Sequence, residues 1–182
     1  MIYLIPVIIV IILIYTLTTY NSLVKRRNMA NNQKSQIDIE LQRRFDLIPN
    51  LVEVIKTYAK HERNTLEDVV KARNSYMTTG NNTAQALQAD DELTGALSRL
   101  FVLTENYPDL KANTNFLNLQ SELSNTEKKI AFSRQFYNDS VYMLNNIIDM
   151  FPSNIIASLF KFKKDSFFET TDMERANVEI TL

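Results

Sequence analysis

Side chains able to do chemistry are few in this chain and stand far apart. His61 is the sole histidine. A metal site would need further His, Asp or Glu at facing positions, and neither an HExxH string nor another paired spacing surrounds it. His61 beside Glu62 therefore reads as a solvated or capping residue. Asp91 and Glu92 are adjacent, but an acid–base carboxylate pair needs a substrate cleft between two distinct environments, which no flanking pattern suggests. Arg43-Arg44 could clamp an anion through paired guanidinium forks; a short charge run of this kind reads first as solvated surface. The absence of Cys excludes thiol chemistry, disulfides, Cys-ligated zinc and lipid attachment through Cys. Gly80 and Gly95, the two glycines, are too far apart for a phosphate-cradling loop. No catalytic, cofactor-binding or metal residue is assigned, and a non-enzymatic role is expected.

Polar residues near apolar seams are more informative: Asp38, Asp46, Asn50, Arg73, Arg134 and Asn138. A buried Arg or Asp is unfavourable unless paired, so such residues tend to hold helices in one register. Arg134 and Asn138 are one helical turn apart. Asp38 or Asp46 are their expected partners in a structural polar network.

These residues must be positioned by helices. Two Gly and four Pro in 182 residues favour long uninterrupted helices. The first stretch is apolar on every face. Ile2, Ile8, Ile11 and Leu13 represent it, and no charge occurs between Ile2 and Tyr20. Nineteen helical residues span roughly 28 Å, close to the ~30 Å hydrocarbon core of a bilayer. With no basic residues before it and no good cleavage site after it, the segment reads as an uncleaved anchor. Lys25, Arg26 and Arg27 follow. By the positive-inside rule they place the N-terminus outside and the rest in the cytoplasm. As lipid-headgroup ligands three charges fall short of the usual four to eight, so their expected role is stop-transfer. With 20 basic and 21 acidic side chains, the net charge of −1 gives no argument for nucleic acid.

Beyond the anchor, Leu23, Arg27, Ala30, Lys34, Ile37, Leu41 and Ile48 keep a three-and-four spacing, continuing one helix from the membrane. Asp46 to Asn50, around Pro49, reads as a break. A tight hairpin is the preferred form and a kinked single rod the alternative. A second helix is expected from Leu51 to Met77, ending at Thr78-Thr79-Gly80-Asn81-Asn82. A third, from Thr83 to Asn106, turns Leu87, Leu93, Leu97, Leu100 and Leu103 inward. After a turn at Glu105–Asp109, with Asp109 or Asn113 as the next cap, the longest helix runs from Asn113 to Met150. Its heptad-like seam includes Phe116, Leu123, Ile130, Tyr137, Leu144 and Phe151.

Past Pro152, Ile155, Ile156, Leu159 and Phe160 fall on one face of a short helix. Lys161, Lys163, Lys164, Phe167 and Phe168 follow. This segment can pack on the bundle, lie in the membrane interface or dock another subunit. In the last case Ile156, Phe160, Phe162 and Phe168 are the subunit-contact candidates. The expected divisions are residues 1–24, anchor; 25–152, cytoplasmic bundle; 153–168, amphipathic segment; and 169–182, acidic tail.

Several strings resemble the bacterial LemA family. They are Tyr20-Asn21-x-Leu23-Val24, Ile37-Asp38, Arg43-Arg44-Phe45-Asp46-Leu47-Ile48-Pro49-Asn50-Leu51-Val52 and Tyr58-Ala59-x-His61-Glu62. Further along come Glu105-Asn106-Tyr107-Pro108-Asp109-Leu110-Lys111-Ala112-Asn113, Glu127, Arg134 with Tyr137-Asn138, and Phe151-Pro152-Ser153-Asn154-Ile155-Ile156-Ala157. The resemblance implies a membrane anchor with an external N-terminus, a cytoplasmic antiparallel helical bundle and no established enzyme activity. Two positions depart from the family. Phe45 stands where Tyr is usual, leaving packing as its role. Lys161 stands where Gly is common between two Phe, which puts a tight turn there in question.

The resulting expectation is an all-α protein, its single transmembrane helix continuing into an antiparallel four-helix bundle with long helices. It would be a scaffold in the cell membrane that self-assembles as a homo-oligomer and binds an unidentified protein partner. A monomeric tethered adaptor of one cytoplasmic partner is the alternative.

Overall fold

The computed structural model describes residues 3–78 and 83–168, with Gln85 as the only side chain described between 83 and 87. Ile2, the Gly80 cap, the Leu87 side chain and the acidic tail lie outside these. Among the described residues six helices follow in order: α1 (Leu4–Tyr58), α2 (Arg63–Thr78), α3 (Thr83–Thr104), α4 (Pro108–Lys111), α5 (Thr114–Asp149) and α6 (Ser153–Leu159). No strand occurs among the described residues. Pro6 and Pro108 lie in first turns, where a missing N–H is harmless, and Pro152 immediately precedes α6.

Pro49 lies inside α1, so the expected hairpin at 46–50 is not made. The reason lies in another helix. A proline at position 49 leaves the Phe45 carbonyl without its usual i+4 donor. Arg73 of α2 donates its Nε–H to that carbonyl at 2.9 Å. The Phe45 ring packs on Tyr76, centroids 4.9 Å apart. The reversal comes later: the Ala59 N–H closes α1 on Ile55 O at 2.8 Å, and the Glu62 N–H bonds Ala59 O at 3.1 Å. The single helix expected over 51–77 is thus the end of α1 plus α2.

Two compact units form. The first lies within Met1–Asp38 and Ile130–Thr170, the second within Ile39–Lys129. In the first, Leu23, Leu144, Ile156 and Ala157 are buried together, with Ile147, Ile148 and Phe162 packed against them. In the second, α1 buries Leu41, Ile48, Leu51 and Ile55; α2 buries Leu66 and Val69; α3 buries Leu93 and Leu100; and α5 buries Phe116 and Leu123.

Arg44 also belongs to that core. Its side chain is fully buried, with Nη2 3.1 Å from Asp90 Oδ1 on α3 and Nη1 2.9 Å from Glu127 Oε1 on α5. The surface role expected for Arg43-Arg44 holds only for Arg43, whose exposed pair with Glu122 is 2.6 Å long. Adjacent helical residues point about 100° apart, so one arginine enters the core while its neighbour faces water.

Two family-like strings meet in this second unit. Tyr107 donates its phenolic O–H to Glu62 at 3.0 Å, and Asn113 Nδ2 donates to the Tyr58 hydroxyl at 3.0 Å. The Glu62 bond raises the Tyr107 phenol above its ordinary pKa. Asn113, of the two cap candidates, caps α5 by accepting the Phe116 N–H at 3.0 Å.

Candidate membrane interface

The apolar start of α1 is exposed along its length, Ile8, Ile11 and Leu13 included. Two of its hydroxyls are satisfied internally: Thr16 donates to Ile12 O at 2.8 Å and Thr18 to Ile14 O at 3.0 Å. Such back-bonding lets threonine sit in hydrocarbon without an orphan polar group. The helix is long and apolar enough to cross a membrane.

Where this stretch ends, aromatic rings gather. Tyr20 lies 4.8 Å from Phe160 and 5.8 Å from Phe162, centroid to centroid. The Arg27 guanidinium lies over the Phe162 ring at 5.2 Å. Arg26 contacts Met143 on α5, and Lys25 is exposed. An open groove of about 390 Å³ runs between Tyr15, Thr18, Thr19 and Ser22 of α1 and the Ile147–Ser153 region.

Residues 153–168 are placed by two devices. The first is the end of α6, where the Phe162 N–H bonds Ala157 O at 2.9 Å and the Lys161 N–H bonds Ser158 O at 3.1 Å. This paired pattern requires a left-handed residue between them. Lys161 takes that conformation, with φ 57°. The tight turn questioned at Lys161 therefore forms, with lysine in the left-handed position. Because an L side chain in this region costs roughly 1–2 kcal/mol, Lys161→Gly is expected to stabilise the fold by about 0.5–1 kcal/mol net of the added unfolded-state entropy. A lower urea midpoint for the variant would contradict this reading of the turn.

The second device is a pair of asparagine clasps on α5. Asn145 donates to Asp165 O at 2.9 Å and accepts the Asp165 N–H at 3.1 Å. Asn138 does the same to Phe168, at 3.0 and 2.8 Å. Tyr137 adds a bond to Ser166 O at 3.1 Å and packs edge-on against Phe168. Burial, then the nearby Asp165, raises the Tyr137 phenol pKa. Lys164 pairs with Asp149 at 2.6 Å.

These contacts redistribute the residues singled out from sequence. Arg134 lies 5.9 Å over the Phe168 ring and Asn138 holds that residue's backbone. Arg73 serves the Phe45 carbonyl. Asp38, Asp46 and Asn50 are exposed rather than lodged in a seam, and Asp46 accepts from Gln42 one turn earlier at 2.9 Å. Of the subunit-contact candidates, Ile156 is buried, while Phe162 and Phe168 are half-buried against their own unit; Phe160 keeps 47% of its surface exposed. Ile155 and Leu159, expected on one face with Ile156, are exposed together with Phe151, which the sequence placed in the seam of the longest helix. Their four-residue spacing was the available signal.

The fold and site define an all-helical protein led by one membrane-length apolar helix. The chain belongs to the LemA family, whose sequence pattern matches residues 33–182. It is 26% identical to Protein LemA of Metamycoplasma hominis over 162 residues, covering 87% of this chain and 73% of that one. It is also 24% identical to Magnetosome protein MamQ of Magnetospirillum gryphiswaldense over 177 residues, covering 84% of this chain and 65% of the relative. Magnetosome protein MamQ 2 of Paramagnetospirillum magneticum is similar to the same extent, again matched over 65% of its length.

Proposed function

We propose that this protein is a non-enzymatic, single-pass membrane scaffold. Its N-terminus lies outside, and an antiparallel four-helix bundle on the cytoplasmic side self-assembles and binds a protein partner there. The observation that carries the reading is α1, whose uniformly exposed apolar start continues without a break into packed helix. Lys25, Arg26 and Arg27 at the exit from the span set the orientation. Arg44 pairs with the buried Asp90 and reaches the more exposed Glu127, an arrangement suited to fixing helices rather than to turning over a substrate.

The native chain has no Cys, so a single introduced thiol reports topology cleanly. With Lys60→Cys in the exposed turn after α1, an impermeant maleimide is expected to label only lysed cells. Labelling of intact cells would reverse the orientation. Light scattering of the detergent-solubilised chain tests self-assembly: a particle of several subunits is expected, and a monomer would favour the tethered-adaptor reading.

A further inference from the structure

We infer that α6 and the turn before it form a second membrane contact: an apolar collar that dips into the cytoplasmic headgroup layer beside the span, with lysines on anionic lipid phosphates. This deepens the anchor reading and rests on it. Helix α6 is two-sided. Ile156 and Ala157 are buried beside Leu23 of α1. Ile155 and Leu159 point outward, and with Met150 and Phe151 they are exposed by 57, 68, 62 and 79%.

The occupant of this apolar face follows from its position. Phe151, Met150 and Pro152 line one groove with Tyr15, Thr18, Thr19 and Ser22, the last residues of the apolar span and the first beyond it. On the same unit, Tyr20 lies against Phe160 and Phe162. The collar is therefore held at the depth where the span leaves the hydrocarbon, and its outer surface continues the span's own lipid-facing surface. Aromatic and aliphatic side chains at that depth partition roughly 5–10 Å into the headgroup–acyl boundary.

Charge fits the same occupant. Lys25, Arg26 and Arg27 fall short of a lipid-binding cluster by themselves, but the fold adds a second group. Arg27 sits over Phe162, which Lys161, Lys163 and Lys164 flank in the chain. Lys164 is engaged by Asp149, and the other five cations next to the exit of the span meet the pattern of an anionic-headgroup site.

The chain contains no Trp, so one introduced indole reports depth. Full-length protein carrying Phe151→Trp or Leu159→Trp is reconstituted into vesicles of phosphatidylcholine and phosphatidylglycerol, with bromines on the upper acyl carbons. Ile9→Trp marks the span, and Phe132→Trp marks an exposed position on α5. The expected result is blue-shifted emission and strong bromine quenching at 151 and 159, deep-bromine quenching at 9 and none at 132. Water-like, unquenched emission at 151 and 159 with Ile9→Trp still quenched overturns the collar and leaves the anchor standing. Blue-shifted but unquenched emission at 151 and 159 means that a protein surface, such as a second copy, covers the face, and also overturns it. An unquenched Ile9→Trp removes the anchor and the collar together. Adding Lys161→Gln and Lys163→Gln should abolish any stronger quenching of Phe151→Trp by brominated phosphatidylglycerol than by brominated phosphatidylcholine. A preference that survives overturns the lysine assignment.

Discussion

Arg44→Met should lower the stability of the detergent-solubilised chain by about 3–5 kcal/mol, the range for breaking a buried ion pair by removing one partner. The methionine fills much of the arginine's volume, so the loss is electrostatic. Asp90, 6% exposed, keeps its desolvated carboxylate but no longer faces the guanidinium at 3.1 Å. The double substitution Arg44→Met with Asp90→Leu should recover most of the loss, because two apolar groups of similar size replace two charges. Removing the half-exposed Arg43–Glu122 pair should change stability by less than ~1 kcal/mol. Pulse proteolysis in urea measures all three. Equal effects of Arg43→Met and Arg44→Met would refute the assignment of Arg44 to the core.

The second large effect concerns Pro49 and Arg73 as a coupled pair. Arg73→Met should cost about 1–3 kcal/mol, since the Phe45 carbonyl then loses the donor that replaces the missing N–H of Pro49. Pro49→Ala should stabilise by up to ~3 kcal/mol, because alanine restores the backbone donor and removes the ring clash. In the Pro49→Ala background the same Arg73→Met change should cost much less. The test is therefore a double-mutant cycle, with a coupling energy of roughly 1 kcal/mol or more expected. Independent, additive effects would show that Arg73 does not substitute for the missing N–H.

This pair also explains which features could be read along the chain. Helix content was legible because glycine and proline are scarce and apolar residues recur at three and four. The continuity of α1 through Pro49 was not. Its cause is Arg73, in a different helix, and a local rule sees only the proline. The true reversal at 59–62 carries no glycine or proline; Ala59-Lys60-His61-Glu62 reads locally as helix. What stops it includes bonds from Tyr107 and Asn113, roughly fifty residues away in sequence. Arg44 was misread for another reason. Positions 37, 41, 48, 51 and 55 are buried, and 44 is the missing member of that heptad series. The pattern pointed inward, but a charged side chain was not expected to follow it without partners, and those lie on α3 and α5. Similarly, Ile155 and Ile156 looked like one face until Leu23 and Leu144 selected Ile156 for burial.

The asparagine clasps have a consequence for how the C-terminal segment can evolve. Asn138 and Asn145 are seven residues apart on a helix, roughly 10.5 Å of rise. Phe168 and Asp165 are three apart on extended chain, roughly 10 Å. The two lengths match, and each clasp engages a backbone N–H and C=O rather than a side chain. Between the clasps, at Ser166 and Phe167, the segment is thus measured by length rather than read by composition, whereas the Phe168 ring is also held by Tyr137 and Arg134. Substitutions at Ser166 or Phe167 leave the clasps intact, whereas one inserted or deleted residue between 165 and 168 puts both out of step. Across descendants of this sequence, positions 166 and 167 are expected to drift in identity while the residue count from 165 to 168 stays fixed.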